Sequence, residues 1–136
     1  MVLLERASEQ ETISGYDGSR INGILRELLS LSGAGSAQLV HTEGSLIAQT
    51  QKVEVPKMEC VAMLSGLMCA AAQAIANSVE SSLSYVHQHG DKKDFLLLPI
   101  NEKFNLVIAF HHELGLGGIL YNARRSAVAL KTILGT

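Results

Sequence analysis

At 136 residues, with 47% hydrophobic and 18% charged side chains, the chain is long enough for one buried core and too short for two, and the composition excludes disorder over most of its length. Eleven Lys and Arg stand against thirteen Asp and Glu, a formal net charge of −2. That balance, with no basic stripe, excludes nucleic acid as the main partner, because a phosphate backbone is met by an excess of cations.

The first ten residues, MVLLERASEQ, have neither the basic start nor the long apolar centre of a secretory leader, so a cytoplasmic protein is expected. Residues 1–16 are read as an N-terminal segment that is mobile in part, and 17–136 as a single domain. Ile21, Ile24, Leu25, Leu28 and Leu31 then trace an amphipathic helix, with Asp17 or Ser19 as its cap and Gly33 as its stop. AQLVH (37–41) and SLIAQ (45–49) follow as a hairpin through Thr42-Glu43-Gly44, and Pro56 marks the approach to the next helix.

That second helix contains CVAMLSGLMCAAAQAIANSV, Cys60 to Val79, twenty residues without a formal charge. Six alanines, four polar side chains and the absence of basic or aromatic anchors argue against a membrane span. At helical spacing Val61, Leu64, Met68, Ala71, Ile75 and Val79 form a stripe expected to face the core. Ala62, Gly66, Ala70, Ala74 and Ser78 form a second face of small residues, which lets another helix approach closely or offers a flat platform. A helix apolar on two sides needs two neighbours. Cys60 and Cys69, nine residues apart on it, lie roughly 13 Å from each other, beyond disulfide reach, and are expected as small buried residues in a reducing compartment.

Further along, LSYVHQH (83–89) alternates as a half-polar edge strand, with Leu83, Tyr85 and His87 on one side. FLLLPI (95–100) and NLVIAF (105–110) are apolar on both faces and belong in the centre of a sheet covered above and below. Ile119, Leu120, Ala123, Ala127, Leu130 and Leu134 close the chain as a third helix. The expected fold is α/β of the α+β kind: helix, two strands, helix, three strands, helix, with a five-stranded, mostly antiparallel sheet and helices on both faces.

Catalytic signatures are missing. Gly33-Ala34-Gly35 precedes a strand instead of following one, and Gly115-Leu116-Gly117-Gly118 lacks the Lys-Ser/Thr of a phosphate loop. No G-x-S-x-G or H-E-x-x-H occurs, and no pair of carboxylates stands out. His87-x-His89 would direct two imidazoles to one side of a strand and His111-His112 adds two more, but a third metal ligand has to come from Asp91 or Asp94. These histidines are read as surface or interface residues, and no metal or cofactor is assigned. The chain reads as a binding module, not an enzyme.

LRELLSLSGAGSAQLVHTEGSLIA (25–48), AAAQAIA (70–76), and FLLLPINEKFNLVIAF with LGLGGILYNARRSAVAL (95–130), taken in order, resemble the Roadblock/LC7 family over about residues 20–134. AAAQAIA and YVHQHG (85–90) are most similar to its bacterial MglB type, the partner of the Ras-like GTPase MglA in cell polarity or motility. The resemblance implies a profilin-like sandwich, with the first and third helices on one face of the sheet and the second on the other. It also implies a homodimer whose third strands pair edge to edge and whose second helices lie together. The residues it places at a dimer or GTPase interface are Ala62, Gly66, Ala70, Gln73, Ala74, Leu83, Tyr85 and His87. The implied function is non-enzymatic regulation of a small Ras-like GTPase, bound in its GTP form, with hydrolysis stimulated. An adaptor subunit of a motor or signalling complex, and a small-molecule or metal sensor using the histidines, are the alternatives.

Overall fold

A computed structural model describes residues 17–52 and 58–135, apart from the side chains at 58–60 and 63. The expected N-terminal segment 1–16 and the turn around Pro56 lie outside the described residues.

Helix α1, Gly18–Ser32, starts where the Asp17 carboxylate accepts the Arg20 N–H at 3.1 Å. It stops where Gly33, at φ 79°, takes the left-handed conformation that closes the last turn through its N–H to the Leu29 carbonyl. Strands β1 (Ser36–His41) and β2 (Leu46–Gln51) form the first hairpin. Helix α2, Met58–Ser78, leads to β3 (Val86–Gln88), β4 (Lys93–Pro99) and β5 (Phe104–His111), and α3, Leu116–Leu134, ends the chain.

All pairings are antiparallel and the strand order is β2-β1-β5-β4-β3. The runs that are apolar on both faces, β5 and β4, are central or next to it, and the half-polar β3 is an edge, as the period-2 pattern requires. Strand β5 divides its side chains between two cores. Phe104, Leu106, Ile108 and Phe110 meet α1 and α3 through Leu25, Leu28, Ile119 and Leu130, while Val107 faces α2. The α2 side is the smaller core, built on Val40, Ala62, Cys69, Leu97 and Val107.

Three expectations change. Leu31 points outward and Leu29 takes its place, because 29 lies one position further round the stripe set by Ile21, Leu25 and Leu28. The third strand is three residues long instead of seven, since only Val86, His87 and Gln88 find partners on β4. The largest change is the seat of α2. Of the stripe expected to face the core, Val61 and Met68 pack in part against the small core, while Leu64, Ala71, Ile75 and Val79 face solvent, and the buried positions are Ala62, Ser65, Gly66 and Cys69. Small residues go inward here because the helix crosses close to backbone: a Cβ on Gly66 would lie 3.2 Å from the Thr42 carbonyl oxygen and 3.3 Å from Gly44.

Candidate partner-binding surface

The surface is built by α2 and the strand that follows it. Leu64 is 54% exposed, Leu67 64%, Ile75 69% and Val79 70%. Leu64, Leu67 and Ile75 on α2, with Val79 in the turn directly after it, define an apolar face turned away from the chain's own sheet. Single exposed leucines are ordinary, but a row of them along one helix marks a contact surface. From Ala70 to Ser78 no residue of α2 is buried, so the second half of the helix stands largely clear of the domain. Burial of a Leu or Ile contributes about 1.5–3 kcal/mol. Leu64, Leu67 and Ile75 leave most of that contribution unrealised in the monomer.

The residues expected at an interface divide into groups. Ala62 and Gly66 are buried against the chain's own β-sheet and the β1–β2 turn, while Ala70, Gln73 and Ala74 are exposed. Gly66, Ala70, Gln73 and Leu83 are brought together in a groove of about 490 Å³ between α2 and the β4–β5 turn, with Asn105 on its floor. Tyr85 and His87 lie on the opposite side of the sheet. Tyr85 is half-buried beneath the Arg124 guanidinium, 5.7 Å from its ring centre, and His87 stacks on Phe110 at 6.1 Å. Arg124 also donates to the Ser84 hydroxyl at 3.1 Å, tying α3 to the segment that leads into β3.

Among the described residues β3 pairs only with β4, so its other side is an open sheet edge. From Ser81 to Gly90 there is no Lys, Arg, Asp, Glu or Pro to guard that edge. Edge and apolar helix are consecutive in the chain, and together they offer strand addition and helix packing to one partner.

Sequence reasoning missed the outward face formed by Leu64, Leu67, Ile75 and Val79. Its signal was present: the helix is apolar on two sides, but the larger side chains were assigned to the core. Cys69 is placed as expected, in the small core, where burial pushes its thiol up to about 11.

Behind β3, Asp94 is 3% exposed and is reached by two imidazoles, His87 Nε2 at 2.7 Å and His89 Nδ1 at 2.9 Å, and by the Gly90 N–H at 3.1 Å. Burial pushes this carboxyl up. The hydrogen bonds from His87, His89 and Gly90 and the charge of His89 outweigh it and hold the group down to about 2. Of the two carboxylates considered beside the histidines, the fold selects Asp94. His111 turns instead to Glu113.

No family model and no curated protein matches the chain at a significant level. Solved structures do. An MglB with a tetrameric arrangement is 25% identical, with 84% of this chain and 87% of that one covered and a TM-score of 0.78. A Roadblock/LC7 domain from Streptomyces avermitilis is 12% identical, over 84% of this chain and 97% of that one, at a TM-score of 0.76. The chain has the Roadblock/LC7 fold. Within that fold it is also similar to the gliding protein MglB from Thermus thermophilus, at 24% identity, 84% and 87% coverage and a TM-score of 0.78. The Roadblock/LC7 arrangement sets α1 and α3 on one face and α2 on the other, and among the described residues nothing covers the outer side of α2. Among the described residues no helix is long and apolar enough to cross a membrane.

Proposed function

We propose that this chain is a non-enzymatic, dimeric regulator of a small Ras-like GTPase of the MglA kind, acting in the cytoplasm and binding the GTP-loaded form. The observation that carries the reading is the exposed row Leu64, Leu67 and Ile75, continued by Val79 in the turn that follows, on a helix whose other side is already seated on its own sheet. The likeness to MglB structures supports the choice of partner, and the open β3 edge supports pairing with a second copy. Burying both on association recovers the apolar contribution that the monomer leaves exposed.

The chemistry of hydrolysis stays with the GTPase. From Met58 to Asp91 there is no Lys or Arg, so the α2 surface supplies no arginine finger. Stimulation then comes from preferential binding of the conformation in which the GTPase's own catalytic groups are aligned.

A titration against Ras-like GTPases loaded with GDP or a non-hydrolysable GTP analogue, with the mass of the complex recorded, tests this. Selective binding to the GTP form by two copies of the chain is the expected result. Equal affinity for both nucleotide states would turn the reading towards an adaptor, and no binding would remove it.

A further inference from the structure

We propose that His87, His89 and Asp94 form a binding site for one divalent transition-metal ion of the zinc class, on the face of the sheet opposite α2. The site is local in the chain and needs no partner. His87 and His89 are two residues apart along an extended segment, so their side chains leave on the same side. Gln88 is paired with Phe95 across β3 and β4, which sets Asp94 opposite the position of His89. The intervening turn closes the triangle.

The donor atoms already converge. A ring nitrogen of His87, a ring nitrogen of His89 and an Asp94 oxygen, one donor atom from each residue, lie within 4.8 Å of one another. A tetrahedral ion with bonds of about 2.0–2.1 Å holds its donors about 3.3 Å apart. Admission of the ion therefore asks the 2.7 and 2.9 Å contacts of Asp94 to open by roughly half an ångström. His89 has the freedom to give that space, because its side chain is 68% exposed.

The surroundings suit a cation. Asp94 is a buried carboxylate whose ion-pair partners are two imidazoles, which carry charge only when protonated. A divalent ion would neutralise the carboxylate with both rings neutral, the form in which histidine ligates. The inner wall is the buried Phe110 ring, near-parallel to that of His87 with centres 6.1 Å apart. The outer side is bounded by the exposed His89 side chain and by the His112 ring, 6.5 Å from it. Two nitrogen donors and one oxygen favour Zn²⁺, Co²⁺ or Ni²⁺ over Ca²⁺ and Mg²⁺, which take oxygen ligands. Bound there, the ion would join the three-residue edge strand to β4.

The test uses the full chain without a histidine tag, titrated calorimetrically with Zn²⁺ and spectroscopically with Co²⁺. One ion per chain, visible Co²⁺ absorption of a low-coordinate site, and a loss of affinity of about tenfold or more in His89→Ala are the expected results. The exposed His89 can be removed without unfolding the chain, which its melting curve in the absence of metal verifies. His111→Ala, whose ring turns towards Glu113, should leave the affinity unchanged. No uptake in the wild-type chain, or equal affinity in His89→Ala, would show that the cluster is only a hydrogen-bonded clamp. A loss in His111→Ala matching that in His89→Ala would show adventitious binding by surface imidazoles and overturn the site.

Discussion

Gly66 of α2 sits so close to Thr42 in the β1–β2 turn that a Cβ at 66 would lie 3.2 Å from the Thr42 carbonyl oxygen, and 3.3 Å from the backbone of Gly44. All three nearest atoms are backbone, which cannot swing aside as a side-chain tip does. Overpacking of this kind costs about 1–3 kcal/mol, and the better helix propensity of alanine returns about 1 kcal/mol. Gly66→Ala is therefore expected to destabilise the chain by about 1 kcal/mol, read as a lower urea midpoint. An unchanged or higher midpoint would mean that the turn yields freely and that the close seat of α2 is not fixed there.

Gly23 gives the opposite sign on the same chemistry. It lies in α1, is exposed, and a Cβ there would meet nothing within 4 Å. With no clash to offset, Gly23→Ala should stabilise by about 0.5–1 kcal/mol through helix propensity and a less flexible unfolded chain. A fall in melting temperature would contradict it.

These two glycines also show what could be read from the sequence. The element order, the central position of 95–100 and 105–110, and the edge position of the third strand follow from periodicity alone, because a strand apolar on both faces has nowhere else to go. Asp17 and Gly33 fixed the ends of α1 through local chemistry. The orientation of α2 was not legible in the same way. Leu64, Ile75 and Val79 must be covered by something, but a hydrophobic period does not say whether the cover is this chain or another. The deciding contact is between Gly66 and the turn at Thr42–Gly44, twenty-odd residues earlier, and only the fold brings them together. Likewise His87, His89 and Asp94 are close in sequence, yet the choice of Asp94 over Asp91 rests on the β3–β4 register.

At the end of α2, Glu80 adopts φ 58°, a left-handed conformation that costs a side-chain-bearing residue roughly 1–2 kcal/mol. The Ser81 N–H closes on the Ala76 carbonyl at 2.9 Å, so the turn is a helix stop of the kind glycine normally fills. A carboxylate beside the negative end of the helix adds a small further penalty. Glu80→Gly should raise stability by about 1 kcal/mol in denaturant unfolding, and a loss would show that the side chain is held by something outside this turn.

Asp94 predicts an acid-sensitive step. Its carboxyl is held down from 3.8 to about 2 in the folded chain, against the opposing effect of burial, by His87, His89 and the Gly90 N–H. A depressed carboxyl contributes stability that is complete above its unfolded pKa and is lost as pH falls through its folded one. The wild-type chain should therefore be more stable than Asp94→Asn at neutral pH. That advantage should shrink between pH 3.8 and about 2. Parallel stability curves for the two chains through this range would mean that the carboxylate is not anchored by the cluster.

Leu67 and Ile75 separate folding from association. Both side chains are more than half exposed and contribute little to the monomer's core, so Leu67→Glu and Ile75→Glu should shift unfolding by no more than about 0.5 kcal/mol. In an assembly that covers this face, the same changes would remove apolar burial and place a carboxylate against an apolar surface. A loss of at least about tenfold in affinity, corresponding to about 1.4 kcal/mol, is then expected for self-association or for the GTPase complex. Light scattering and the nucleotide-state titration read the two associations separately. If both variants assemble as the parent does, the outward face of α2 is not the contact, and the open edge of β3 must carry association alone.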